Sequence, residues 1–330
     1  MKLAVSLALA FAAAAPIVAH ADPAVIFDMG GKFDKSFNQS AYEGAERWKK
    51  ETGKNYLEFE ISNDTQRMQA IRRMAERGAS PIISIGFAQA SALEQVAKDF
   101  PKTQFAIIDA TVNKPNVQSV TFKEHEGSYL VGAIAVTASK TGKVGFVGGM
   151  DIPLIHAFFC GYKEGFMATN KDGQVFENYT GTTATAWNDP TTAGELAKAD
   201  FDKGADIVYA AAGASGLGVI QAAKDAGKLS IGVDSNQNYI HPGQILTSMQ
   251  KRVDTATYNA FTDFTKDPKS FAFGHISLGL KEGGVAAAMD DNNAKLITPE
   301  MKAAVDKATA DINSGALTVF DARSDGKCDI

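Results

Sequence analysis

From residue 24 onward the sequence alternates repeatedly between short apolar, largely β-branched runs and longer stretches whose apolar residues recur at helical spacing. Strands that are apolar on both faces and separated by helices must bury both faces, which dictates a parallel sheet covered on two sides with right-handed crossovers. Ala24-Val25-Ile26-Phe27 reads as the first strand, and a helix over 37–52 follows, with Ala41, Ala45 and Trp48 on one stripe and Gly53 as its stop. A strand over 56–61 leads to a helix over 64–77, whose buried stripe is Met68, Ile71 and Ala75. The pattern repeats at 81–85 and 88–99, and Phe105-Ala106-Ile107-Ile108 forms a further strand that ends at Asp109.

After a connection near 121–126 the alternation restarts. Strands are expected at 143–147, 174–179, 206–210 and 229–233, with helices over 154–167, 190–201 and 216–226. A strand at 245–249 and a helix at 253–264 are too little to stand alone and are assigned to the first unit; a last helix, 299–313, is assigned to the second. The roughly 310 residues beyond the leader exceed a typical single domain of about 100 to 200. The expected architecture is therefore α/β, with two doubly wound, Rossmann-like lobes joined by a hinge. The N-terminal lobe would comprise 22–124 plus 245–275, and the C-terminal lobe 125–244 plus 276–330.

The first 21 residues have a different logic. Met1-Lys2 is a short positive start, 3–15 is a run of mostly Leu, Ala, Val and Phe, and Ala19-His20-Ala21 has the small-x-small form of a cleavage site. Residues 1–21 thus read as a cleavable signal peptide, which implies export to a periplasm. No cysteine follows to carry a lipid anchor, and the apolar run is shorter than the roughly 20 residues of a membrane span. The chain carries 33 basic against 38 acidic residues, a net charge of −5, so no nucleic-acid footprint is expected. Cys160 and Cys328 could join in one disulfide that pins the C-terminal tail, or remain two separate thiols.

Most chemistry can be set aside on spacing. His125, His156, His241 and His275 do not form a zinc pattern. There is no nucleophile elbow and no phosphate loop ending in Gly-Lys-Ser/Thr. Gly213-Ala-Ser-Gly-Leu-Gly218 shares the first glycine of a dinucleotide fingerprint, but such a turn occurs in any α/β lobe. No metal, cofactor or enzymatic activity is expected. In open parallel sheets ligands bind beyond the carboxyl ends of the strands. Glycines and polar residues gather there: Asp28 with Gly30-Gly31, Gly86, Asp109, Gly148-Gly149, Gly213 to Gly216, and Asp234-Ser235-Asn236. Asp34 or Ser36 is expected to cap the first helix. Asp28, Asp109 and Asp234 each follow an apolar strand, and three acids aimed at one crevice point to a ligand rich in O–H and N–H donors.

At this level the motifs become recognisable. Asp28-x-Gly-x-x-x-Asp34-x-Ser-Phe-Asn38-Gln39 followed by Tyr42-Glu43-Gly44, together with Phe105-Ala-Ile-Ile-Asp109, Gly232-Val-Asp-Ser-Asn-Gln237 and Leu246-Thr-Ser-Met-x-Lys251, resembles the basic membrane protein family, the nucleoside-binding receptors of ABC importers. The resemblance implies a type I periplasmic-binding fold with a purine nucleoside between the lobes. It implies that Phe37 stacks on the base, that Asp109 reads the base edge, and that Asp234 and Lys251 hold the ribose hydroxyls. Asp28 and Asn38 would complete the polar shell. Trp187 stands where relatives tend to carry Phe, and Ser215 falls in a Gly-Ala-Ser-Gly segment where relatives often have Gly-Gly-Thr-Gly. Phe37, Asp109 and Lys251 are expected on one lobe, and Trp187, Ser215 and Asp234 on the other. The implied partners are a purine nucleoside and an ABC permease, and the implied protein is a monomeric, non-enzymatic receptor. Two rivals are a receptor for a sugar or autoinducer, and a calcium-dependent nucleoside hydrolase. The acids are too scattered for the compact Asp-rich loop the hydrolase would favour.

Overall fold

The computed structural model describes residues 22–326 and 328; the expected signal peptide lies outside the described residues. Strands β1–β12 and helices α1–α10 are numbered in chain order. The first sheet contains β1 (Ala24–Phe27), β2 (Leu57–Glu60), β3 (Ile82–Ile85), β4 (Phe105–Ile108), β5 (Val117–Phe122) and β11 (Gly274–Leu278), in the order β11-β5-β4-β3-β1-β2 and parallel throughout. Strands β1, β3 and β4 are buried on both faces, as their almost wholly apolar sequences require, whereas the edge strand β2 alternates between half-buried and exposed residues. This sheet is covered by α1 (Phe37–Thr52), α2 (Gln66–Glu76), α3 (Ala90–Asp99) and α8 (Val253–Lys266).

The second sheet contains β6 (Lys143–Met150), β7 (Gln174–Gly181), β8 (Ile207–Ala211), β9 (Leu229–Asp234), β10 (Ile245–Lys251) and β12 (Val285–Ala287), in the order β12-β10-β9-β8-β6-β7. Only β12 runs antiparallel, against β10. Its helices are α4 (Glu124–Ala138), α5 (Pro153–Met167), α6 (Pro190–Asp202), α7 (Gly216–Asp225) and α9 (Pro299–Ser314); a short α10 (Ala322–Asp325) packs on α5.

Two expectations about the lobes need correcting. The strand at 245–251 pairs in parallel with β9 and so belongs to the second lobe, where it buries Leu246 and Met249. Of this strand and helix, only α8 returns to the first lobe. It lies so close to α1 that a Cβ on Gly44 would fall 2.1 Å from the Asp254 carbonyl oxygen. Conversely, β11 pairs with β5, which places 276–278 in the first lobe. The chain therefore crosses between lobes three times, between β5 and α4, between β10 and α8, and between β11 and β12. These crossings are tied to one another: Lys123 N donates to Leu278 O at 2.9 Å, and Arg252 N donates to Gly284 O at 2.8 Å.

The segment treated as a connection near 121–126 is in fact the end of β5 and the start of α4. Residues 124–135 are all buried, so α4 has no polar face and no stripe from which helical periodicity could be read. Cys160 and Cys328 form a disulfide with a Cα separation of 5.6 Å, which decides between the two readings left open above. Among the described residues, no helix is long and apolar enough to cross a membrane.

Candidate functional site

A cavity lies between the two sheets, at the carboxyl ends of their strands. Asp28, Phe37, Asn38 and Asp109 line it from the first lobe, and Trp187, Asp234 and Lys251 from the second.

The two lobes place their acids in equivalent ways. Asp109 follows β4 and Asp234 ends β9, and both take left-handed backbone conformations, with φ of 68° and 62°. Non-glycine residues adopt this region at a cost of about 1 to 3 kcal/mol, and such strain concentrates at functional sites. Burial pushes both carboxyls up to about 6, despite the opposing Lys251 ammonium. Asp234 accepts from Ser36 Oγ of the first lobe at 2.5 Å. Asp109 Oδ1 is buried with no hydrogen-bond partner among the described residues. An acceptor so placed is open to a donor that enters the cleft.

Lys251 requires a correction. It sits on β10 in the second lobe, not the first, and its Nζ crosses the cleft to Asp109 Oδ2 at 2.6 Å. Its side chain is 2 % exposed, and its Nζ also lies 2.9 Å from Glu124 Oε1. Burial acts to lower the lysine pKa, but Asp109, Glu124 and Asp234 outweigh it and hold the ammonium above the ordinary range. The rings of Phe37, Phe122 and Phe158 surround Nζ at 5.2, 5.3 and 5.5 Å from their centroids. The cation is thus fixed by both carboxylates and aromatic faces.

Around the other acid, Arg67 Nη2 bonds Asp28 Oδ1 at 2.9 Å. Asn38 holds the backbone of Asp28, accepting from its N at 3.0 Å and donating to its O at 3.3 Å. Gly86, at φ 105°, leaves the room this requires, since a Cβ there would meet Asp28 Oδ2 at 2.7 Å. Asp34 caps α1 as expected, accepting backbone N–H groups from Ser36, Asn38 and Gln39. Ser36 does not cap; its hydroxyl is committed to Asp234.

Trp187 sits in a short 3₁₀ turn, Ala184–Asn188, with its ring against the backbone of Gly149. Ser215 is the one expected ligand residue that does not reach the cavity. Its hydroxyl donates to Ala186 O at 2.7 Å and accepts from Asp189 N at 2.6 Å, which ties the Trp187 turn to the start of α7. Among the residues that went unrecognised, Leu154, Ile155 and Phe158 line the cavity from the first turns of α5. Their position just after the Gly148-Gly149 strand end could have revealed them. Arg67 and Glu124 carried no such signal.

Two α/β lobes linked by three crossings around a polar and aromatic cleft define the type I periplasmic-binding fold. Solved structures with this arrangement include an ABC transporter solute-binding protein from Aeropyrum pernix (TM-score 0.82, 29% identity, 91% of this chain and 93% of that one) and one from Conexibacter woesei (TM-score 0.74, 25% identity, 91% and 99%). A family profile described as "ABC transporter substrate-binding protein PnrA-like" matches residues 22–315. Relatives include the ABC transporter nucleoside-binding protein BmpA of Lactococcus lactis (34% identical, 90% of this chain and 88% of that protein) and basic membrane protein A of Borreliella burgdorferi (34%, 90% and 87%). The chain belongs to the Bmp family of ABC transporter substrate-binding proteins.

Proposed function

We propose that the protein is a non-enzymatic, monomeric periplasmic receptor that closes its lobes on a purine nucleoside and presents it to the permease of an ABC importer. The observation that carries this reading is the joint lining of one cavity by two aromatic side chains from opposite lobes, Phe37 and Trp187, and by Asp109, Asp234 and Lys251. A flat heterocycle suits the aromatic pair, because stacking is worth about 1 to 3 kcal/mol per base without demanding a particular one. A pentose suits the carboxylates and the ammonium, which offer acceptors and donors to vicinal hydroxyls. The buried, unpartnered Asp109 Oδ1 supplies an acceptor for an N–H on the base edge. The name of the Lactococcus lactis relative points the same way.

Calorimetry with inosine, ribose and hypoxanthine tests the assignment. Inosine is expected to bind far more tightly than either half alone, because each half leaves part of the buried polar lining unsatisfied. Binding of ribose alone with equal affinity would instead favour a sugar receptor, and release of free hypoxanthine from inosine would favour a hydrolase. Asp234→Asn is expected to weaken inosine binding by about tenfold or more, since losing a charged hydrogen-bond partner costs on the order of 2 kcal/mol. Unchanged affinity in the folded variant removes Asp234 from the ligand shell.

A further inference from the structure

Behind Lys251 lies a buried chain of charges that the ligand cannot touch. Glu124, the first residue of α4, is fully buried, and its Oε1 lies 2.9 Å from Lys251 Nζ. Its other oxygen accepts from Arg323 Nη1 at 2.8 Å, and the same Nη1 donates to the Phe122 carbonyl at 2.7 Å. Arg323 therefore grips both sides of the first interlobe crossing, the strand end that carries the Phe122 ring and the helix start that carries Glu124. Its remaining nitrogens, Nε and Nη2, bond the two oxygens of Asp321 at 2.9 Å each. The segment bearing Arg323 is held on α5 at both ends. Phe320 N donates to Glu164 Oε2 at 2.9 Å, and Cys328 is disulfide-bonded to Cys160.

We propose that Glu124 and Arg323 are positioning residues for the binding cleft: the disulfide-anchored C-terminal segment delivers Arg323 to the buried Glu124, and Glu124 holds the Lys251 ammonium against Asp109. The chemistry requires both members. A lysine has a flexible four-carbon stem and a point charge, so its head goes where the acceptors are. With Asp109 as its sole counter-charge it would follow that residue's lobe. Glu124, on the same lobe as β10, gives it a second and fixed counter-charge, 2.9 Å from Nζ. Glu124 alone would be a buried carboxylate competing with Asp109 for one cation, and Arg323 supplies the second cation that balances the pair. This inference rests on the reading that Lys251 contacts the ligand.

The test measures inosine affinity and thermal midpoint together for Lys251→Met, Arg323→Met and Arg323→Lys. Lys251→Met is expected to lose affinity strongly. Arg323→Met is expected to weaken inosine binding by roughly tenfold, the scale of coupling through a neighbouring contact, and Arg323→Lys to recover most of that loss. A role confined to tail packing would lower the thermal midpoint of both Arg323 variants and leave affinity unchanged. Wild-type affinity in Arg323→Met, beside a defect in Lys251→Met, overturns the positioning role alone; wild-type affinity in Lys251→Met overturns the ligand assignment of that lysine as well. Should Arg323→Met not fold, the charge-neutral double variant Glu124→Gln/Arg323→Met carries the same test. A loss of inosine affinity there supports the pair, and wild-type affinity overturns it.

Discussion

Replacing Gly149 by alanine should damage the aromatic wall of the cleft without touching any polar group. Gly149 lies in β6 directly against the Trp187 ring, and an added Cβ would come within 2.2 Å of Cζ3, 2.4 Å of Cε3 and 2.9 Å of Cη2. Non-bonded carbons rest about 3.5 to 4.0 Å apart, so the ring must move by more than about 1 Å. Gly149 has an ordinary strand conformation, so alanine brings no backbone strain and the effect isolates the ring. If Trp187 stacks on a base, displacing it forfeits up to the about 1 to 3 kcal/mol that such stacking contributes, or roughly 5- to 150-fold in affinity. Overpacking adds a stability cost of about 1 to 3 kcal/mol. Calorimetric titration with inosine measures the first, and tryptophan emission locates it. The chain has two tryptophans, and Trp48 is fully buried in the first lobe against Phe261, so a ligand-dependent change in emission reports on Trp187. In a Trp187→Ala background, Gly149→Ala should add no further loss, because both changes remove one interaction. Wild-type affinity together with a wild-type emission response in Gly149→Ala would refute the reasoning.

Three further outcomes are expected. Asp234 is held near 6 by burial, with Lys251, Asp34, Glu124 and the Ser36 hydroxyl acting on it; a carboxyl raised this way favours the free fold below its ordinary 3.8, and that contribution, on the order of 3 kcal/mol, is lost as pH rises through 6. Ribose hydroxyls would favour the ionised form, so inosine affinity should fall below about pH 6 and binding should release a proton; calorimetry in buffers of different ionisation enthalpy reads this directly, and the absence of proton release would count against it. Reducing the Cys160–Cys328 bridge should lower the thermal midpoint, since closing a long loop typically stabilises a fold by about 2 to 4 kcal/mol; identical melts with and without reductant would show the tail to be held by its other contacts. Gly44→Ala should destabilise the first lobe, because its Cβ would fall 2.1 Å from the Asp254 carbonyl of α8, and an unchanged melt would mean that α1 and α8 can part without cost.

Much of this architecture is legible because the central strands are largely apolar and most covering helices show a stripe, although on α2 Met68 is exposed while Ile71 and Ala75 are buried as expected. The lobe assignment of 245–251 was not, because a strand's sequence records burial and not which neighbour it pairs with. Leu246 and Met249 would be equally at home in either sheet. α4 stayed hidden for a related reason: a helix buried all round has no polar face to break the apolar run. Within the site, the acids at strand ends were readable because position after a strand determines direction into the crevice. Ser215 was misjudged although it occupies a similar turn, because its hydroxyl finds backbone partners in the neighbouring Trp187 turn. Arg323 was beyond reach, lying 199 residues from the Glu124 it holds.

Asp109, Asp234 and Lys251 line the cavity and also join the lobes, which on the proposed reading bears on how closure responds to a solute. Lys251 reaches Asp109, Asp234 accepts from Ser36, Ser235 Oγ donates to Ser36 O at 2.9 Å, and Gln237 Nε2 donates to Lys35 O at 2.9 Å. Each of these bonds spans the cleft, and each is available only when the lobes are together. A solute shifts the balance between open and closed forms only by what it adds beyond these contacts. Two features leave something to add: the unpartnered Asp109 Oδ1 and the empty space beside the aromatic side chains. Closure without solute satisfies the bridging pairs and leaves Asp109 Oδ1 and the cleft sides of Phe37 and Trp187 for a solute to engage. On the proposed reading, a solute that supplies both a donor and a flat face adds the contacts by which closure comes to depend on it.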